Sequence, residues 1–196
     1  MTGSAMLEVK VRWLPLGRRR ATALLRRVVP AVREAVEGAR SPYVTEIADR
    51  TRSPLRVLVS TVISARTKDA VTDAASERLF ARASTAREIA ALSERSIAAL
   101  IYPAGFYRTK ARSIRGLSRA IAFDLGGRVP DTMEGLLALP GVGRKTANLV
   151  LTLGFGKPGI CVDTHVHRIS NRLGVVRTAR PVETEAALGA ALPREH

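Results

Sequence analysis

The sequence predicts an all-α protein on three observations. Ala, Leu, Arg and Glu dominate the chain, and these residues favour helices. Apolar residues recur at spacings of three and four, while Val, Ile and aromatic residues rarely alternate with polar ones. Cap signals of the Ser/Thr/Asp type stand in front of several of those apolar runs. At 196 residues the chain is long enough for one or two small domains with a real core.

Taken in order, residues 1–17 show no clear periodicity and read as an irregular tail, with Val9, Val11 and Trp13 able to form a short strand. Arg18 to Glu37 reads as a helix burying Leu24, Leu25, Val28, Val29, Val32 and Val36, kinked or divided at Pro30. Residues 38–52 read as a connection. Ser53-Pro54 caps and opens a helix whose Leu55, Val57, Leu58, Val59, Val62 and Ile63 cover most of its circumference, so it should be buried. A further helix runs to about Arg82, and Thr85 with Glu88 forms a capping box. Ser93 caps a short helix that Pro103-Ala104-Gly105 breaks. Phe106 to Leu125 is a long amphipathic helix with Ile114, Leu117, Ile121 and Leu125 inward and Arg108, Lys110, Arg112, Arg115 and Arg119 outward. Asp131 and Glu134 cap the next helix. Asp163 caps one that ends at Gly174, and the last begins near Pro181.

With 32 Lys and Arg against 17 Asp and Glu, the formal charge is +15 and the pI about 11.4. The excess is mostly Arg, whose fork suits phosphate, so nucleic acid is the leading partner; a generally basic soluble protein is the alternative. The single cysteine, Cys161, excludes a disulfide framework and a Cys-based metal site within the chain. No apolar run approaches the roughly 20 residues of a membrane span, and no secretion signal opens the chain. A cytoplasmic, nucleoid-associated monomer with no membrane contact is expected. No magnesium-nuclease carboxylate cluster, Walker loop or zinc spacing is present in the sequence.

The most informative stretch is Leu139-Pro140-Gly141-Val142-Gly143-Arg144-Lys145-Thr146-Ala147-Asn148, followed by Val162-Asp163-Thr164-His165. Pro140 stops one helix, Gly141 and Gly143 allow a tight hairpin and close backbone approach, and Ala147, Val150, Leu151 and Gly154 resume a helical face. The start of that second helix is a place where a phosphate can sit. Taken alone, it is either an ordinary helix–turn–helix corner or a phosphate-binding hairpin.

These residues, at this spacing, resemble the helix-hairpin-helix DNA glycosylase superfamily and, within it, the endonuclease III branch. The resemblance covers about residues 20–196 and is sharpest at 139–168. It implies a two-lobed all-α fold with a DNA cleft between the lobes: a helical barrel over 54–156, and a second lobe from 18–53 and 157–196. It also implies a bifunctional glycosylase and AP lyase that acts on damaged, oxidised pyrimidines in double-stranded DNA, or on abasic sites, in base excision repair.

The chemistry needs a base flipped out of the duplex and an amine to attack the sugar C1′, giving a Schiff base that continues to β-elimination. Lys145, in the first turn of a helix beside Arg144, matches the family's nucleophile; a solvated Lys contacting phosphate is the bland reading. Asp163 matches the family's essential acid, able to stabilise positive charge on the sugar and relay protons, and it is also placed as a helix cap. Gly141, Val142, Gly143, Arg144 and Thr146 are the expected DNA contacts of the hairpin. His165 follows the family's His, and Thr164 supports it; His167 carries no specific signal.

Ser64-Ala65-Arg66-Thr67-Lys68-Asp69 resembles the family's loop that enters the duplex. Ser64, Arg66 and Lys68 are its expected DNA contacts and Asp69 a supporting residue. Many relatives carry Gln where this chain has Arg66, which leaves the base preference open. Phe106 matches a wedge residue that stacks into the gap, or it is a core residue. Lys110, Arg112 and Arg115 read as phosphate contacts or a solvated helix face.

The endonuclease III branch usually continues to a loop of four Cys holding an iron–sulfur cluster. This chain stops at Leu192-Pro193-Arg194-Glu195-His196, which reads as a truncation, so a [4Fe-4S] cluster is expected only in a longer chain carrying those Cys. Two other functions stay open: a monofunctional mismatch, uracil or purine-lesion glycosylase, and a non-catalytic DNA-binding protein.

Overall fold

The computed structural model describes residues 17–38 and 43–192; the expectations for the N-terminal tail and for residues 193–196 lie outside them. Eleven α-helices and no strand run through the described residues. They divide into two compact units. Arg40–Gly159 forms the larger, and the described residues before it and from Ile160 onward form the smaller.

The larger unit is built around α3 (Pro54–Ser64). Ser53 caps it by accepting the Arg56 N–H at 3.4 Å, and Pro54 takes the first position. Val57 to Ile63 are buried without interruption. Nothing in such a sequence offers a solvent face, so the other helices close around it. They are α2 (Tyr43–Thr51), α4 (Asp69–Arg82), α7 (Tyr107–Arg119) and α9 (Arg144–Leu149). The short α5 (Ala86–Ala91) starts on the Thr85–Glu88 capping box, and α6 (Glu94–Ile101) on Ser93, as the sequence predicts.

The structure departs from the sequence expectations at four points. Residues 43–51 are a helix, not a connection. Tyr43, Val44, Ile47 and Ala48 lie buried in the core of the larger unit, so the boundary falls before α2 rather than at 53/54. The amphipathic helix ends at Arg119 and continues as a π-helical turn, Ala120–Asp124, which leaves Leu125 40% exposed instead of inward. α8 (Met133–Leu137) is capped by Thr132, whose hydroxyl accepts the Gly135 N–H at 3.1 Å. Asp131 is drawn instead to Lys157, with Nζ 2.6 Å from Oδ2, and this contact lowers its pKa.

The smaller unit consists of α1 (Gly17–Ala35), α10 (Thr164–Arg172) and α11 (Pro181–Ala191). Ala21 and Leu25 pack with Val162, Val175, Val176, Ala187, Leu188 and Ala191, and Thr22 donates to the Ala191 carbonyl at 2.9 Å. Pro30 is exposed and does not divide α1. Val32 and Val36, expected inward, are 55% and 56% exposed. α1 packs on α11 through its first half, so its last turns enter no core.

Candidate functional site

Within the larger unit, α7 acts as the spine on which three loops are seated. The loop 102–106 leads into it, the loop 64–68 is tied to Lys110, and the hairpin 138–143 rests on Ser113 and Gly116. These anchors are three residues apart, so each lies about one turn further along the helix.

Lys110 was expected on the outer face, available to phosphate. It is 7% exposed. Its ammonium donates to the carbonyls of Ile63 and Ala65, each at 2.6 Å, and to Thr67 Oγ1 at 2.8 Å. Burial brings its pKa down to about 8. The carbonyls at the end of a helix lack intrahelical partners, and here a lysine from another helix satisfies them. Lys110 is therefore not a phosphate contact. Arg115 is committed too, donating to the Leu92 carbonyl at 3.1 Å and lying 4.0 Å from Glu94. Arg112 stays exposed, 3.7 Å from Glu94.

The loops beside this anchor carry two non-glycine residues in the left-handed region, Arg66 (φ 53°) and Phe106 (φ 56°). That conformation costs roughly 1–2 kcal/mol per residue and persists only where the surroundings enforce it. Phe106 is 63% exposed, which removes the core-packing reading. The Arg66 guanidinium lies over its ring, 5.6 Å from the centroid. Thr67 Oγ1 also accepts the Gly105 N–H at 3.1 Å. A Cβ on Gly105 would stand 2.6 Å from the Arg66 carbonyl oxygen, so only glycine lets the loops approach this closely. Lys68 and Asp69 are exposed at the start of α4. Ser64 is half-buried, its hydroxyl donating to the Thr61 carbonyl at 2.9 Å.

At the hairpin, Gly141 adopts φ 75°, and a Cβ there would meet Ser113 Cβ at 2.5 Å. Pro140 packs against Gly116. Gly143, expected to need similar freedom, has φ −97° in extended backbone and open space where its Cβ would point. Val142 is 8% exposed and its N–H donates to the Leu139 carbonyl at 3.2 Å, so both its side chain and its amide serve the hairpin itself. The Ala147 N–H donates to the Gly143 carbonyl at 2.9 Å, which sets Arg144 and Lys145 in the first turn of α9, both exposed; Thr146 is half-buried. Ala147 and Asn148 anchor that turn in the core, followed by Val150 and Leu151 of a π-helical turn.

In the smaller unit, Asp163 caps α10. Its Oδ1 accepts the N–H groups of His165 and Val166, each at 2.9 Å. Thr164 and His165 are exposed in the first turn. His167, without a sequence signal, joins a polar cluster: its Nδ1 lies 2.6 Å from Thr184 Oγ1, and Asn171 Nδ2 donates to Thr178 Oγ1 at 3.2 Å. Thr67, the hydroxyl that joins two loops, lies inside the 64–69 stretch but carries no signal of its own in the sequence.

Among the described residues no group of three or more His, Cys, Asp or Glu could hold a metal ion. Cys161 is half-exposed and is the one cysteine of the chain. The residues present therefore do not supply the four-cysteine set of an iron–sulfur loop. No helix among the described residues is long and apolar enough to cross a membrane.

An all-α unit presenting a helix-hairpin-helix with a basic first turn defines a class, the helix-hairpin-helix base excision repair proteins. Residues 59–194 match the family model described as "HhH-GPD superfamily base excision DNA repair protein". Endonuclease III of Thermotoga maritima is 54% identical over 142 residues, 72% of this chain and 67% of that protein. The chloroplastic endonuclease III homolog 2 of Arabidopsis thaliana is 40% identical over 184 residues, 86% of this chain and 48% of that protein. A solved structure of a trapped endonuclease III–DNA covalent intermediate, an estranged-adenine complex, superposes with a TM-score of 0.78 at 34% identity. It covers 89% of this chain and 79% of that one. The chain belongs to the endonuclease III family of the HhH-GPD superfamily.

Proposed function

We propose that the protein is a bifunctional DNA glycosylase and AP lyase of base excision repair, removing oxidised pyrimidines from duplex DNA and nicking the strand. The observation that carries this reading is Lys145, exposed in the first turn of α9 and held there by a hairpin that leaves Gly141 no room for a side chain. The covalent intermediate with DNA described for a relative at 34% identity supports a nucleophile on the protein.

The neutral Lys145 amine attacks C1′ of the damaged nucleotide. The C1′–N bond breaks and its electron pair leaves with the base, which takes up a proton. Ring opening gives a Schiff base between Nζ and C1′. Loss of a C2′ proton then expels the 3′ phosphate by β-elimination, and water releases the sugar fragment from Lys145. Asp163 is assigned the acid's role, a carboxylate that steadies positive charge on the sugar and relays protons. Arg144, Thr146 and the backbone of Gly141 and Gly143 serve the phosphates. Arg66 and Phe106 enter the duplex where the base has left. Lys68 and His165 add DNA contacts, with Ser64, Asp69 and Thr164 supporting their loops. We assign the substrate as damaged double-stranded DNA, bound by a monomer, in the cytoplasm at the nucleoid.

A thymine-glycol duplex tests the reading. The wild type should release the base and nick the strand together. Lys145→Gln should lose both while DNA binding stays within a few-fold. Base release without a nick would point to a monofunctional enzyme. Salt-sensitive binding with no lesion preference and no turnover would point to a DNA-binding protein without catalysis.

A further inference from the structure

The buried ammonium of Lys110 touches neither Lys145 nor a surface that phosphate can reach. A lysine held this far from water loses hydration that an apolar side chain of the same length would not miss. Something specific must offset that cost, and its three acceptors show what it is. Two are the carbonyls of Ile63 and Ala65 at the end of α3, and the third is Thr67 Oγ1. They flank Arg66 on both sides. The same Thr67 oxygen accepts the Gly105 N–H, one residue before Phe106. Lys110 itself sits one turn after Phe106, its own N–H donating to the Phe106 carbonyl at 3.0 Å. A closed ring of bonds thus surrounds the two left-handed residues whose side chains stack on each other.

We propose that Lys110 is a positioning residue for base extrusion: clamped on Ile63, Ala65 and Thr67, its ammonium fixes Arg66 against Phe106 so that the pair enters the duplex as one preformed wedge. This rests on the functional reading above and adds to it. A preformed wedge matters when a stacked base must be levered out of the helix. It matters little when the base is already gone, because an abasic nucleotide has no stacking to lose. The pin should therefore govern base release and leave strand nicking at an abasic site largely untouched. Loss of a structural support would lower both activities alike.

The test compares kcat/KM for base release from a thymine-glycol duplex with kcat/KM for nicking of a pre-formed abasic duplex. The wild type, Lys110→Met and Thr67→Val are compared at a temperature where circular dichroism shows each folded. Lys110→Met should lose roughly ten- to a hundredfold in base release, the scale of effect that misplacement of a working group produces. Thr67→Val, a milder change that removes only the shared hydroxyl, should lose less in the same direction. Both should nick abasic DNA within about threefold of wild type. Equal losses in the two activities, or unchanged base release in both variants, would overturn the positioning role. A wild type that acts on neither substrate would overturn the functional reading, and the positioning role with it.

Discussion

At the scale of single residues, charge and burial pull in opposite directions at Lys110, and the structure shows which wins. Lys110 shares its helical stripe with Ile114, Leu117 and Ile121, at spacings of four, three and four, so the periodicity of the core already included it. Its charge argued for solvent, and only the acceptors at the end of α3, distant in sequence, make the inward position tolerable. Its titration has a definite sign. Burial lowers the folded pKa to about 8 from an ordinary 10.5. Between those values the unfolded chain holds a proton that the folded chain has released, so stability rises with pH across that window. Below it the penalty of the buried charge is fully present. Urea denaturation at about pH 7.5 and about pH 10 should show the wild type gaining on Lys110→Met by about 2 kcal/mol; a pH-independent difference would contradict this.

At the scale of elements, the helices were legible wherever a cap and an apolar face coincided. Ser53, Thr85, Ser93 and Asp163 all cap as their sequence context predicts. The errors arose where neighbouring residues competed for one role. Thr132 rather than Asp131 caps α8, because Lys157 holds the Asp. α2 is not legible in the sequence, because turn-forming residues before it mask the spacing of Tyr43, Val44, Ile47 and Ala48, which is helical. The two π-helical turns have no sequence signature, since they arise where a helix end must fit an existing core. The hairpin separates its two glycines by geometry. Gly141→Ala places a Cβ at positive φ and against Ser113, and should destabilise the protein by about 2 kcal/mol or more. Gly143→Ala meets extended backbone and open space, and should cost less than about 1 kcal/mol. Denaturation midpoints of the two variants check this, and equal losses would refute the assignment of Gly141 as the residue that seats the hairpin on α7.

At the scale of the whole molecule, fold class and family were legible because they depend on composition, periodicity and one dense motif. The border between the two units was not, since it depends on which core buries α2, a choice made by packing rather than by local spacing. The candidate site was legible in its hairpin and in Asp163 as a cap. It was legible only in part around Arg66 and Phe106, where left-handed backbone and a lysine from a distant helix do the positioning. The account's central claim is that the amine of Lys145 becomes covalently joined to DNA. Incubation with a thymine-glycol duplex in borohydride, followed by denaturing electrophoresis, measures that directly, because borohydride reduces a Schiff base to a stable amine. The account predicts a protein–DNA adduct with the wild type and none with Lys145→Ala. No adduct with the wild type, or an adduct that survives Lys145→Ala, would contradict it.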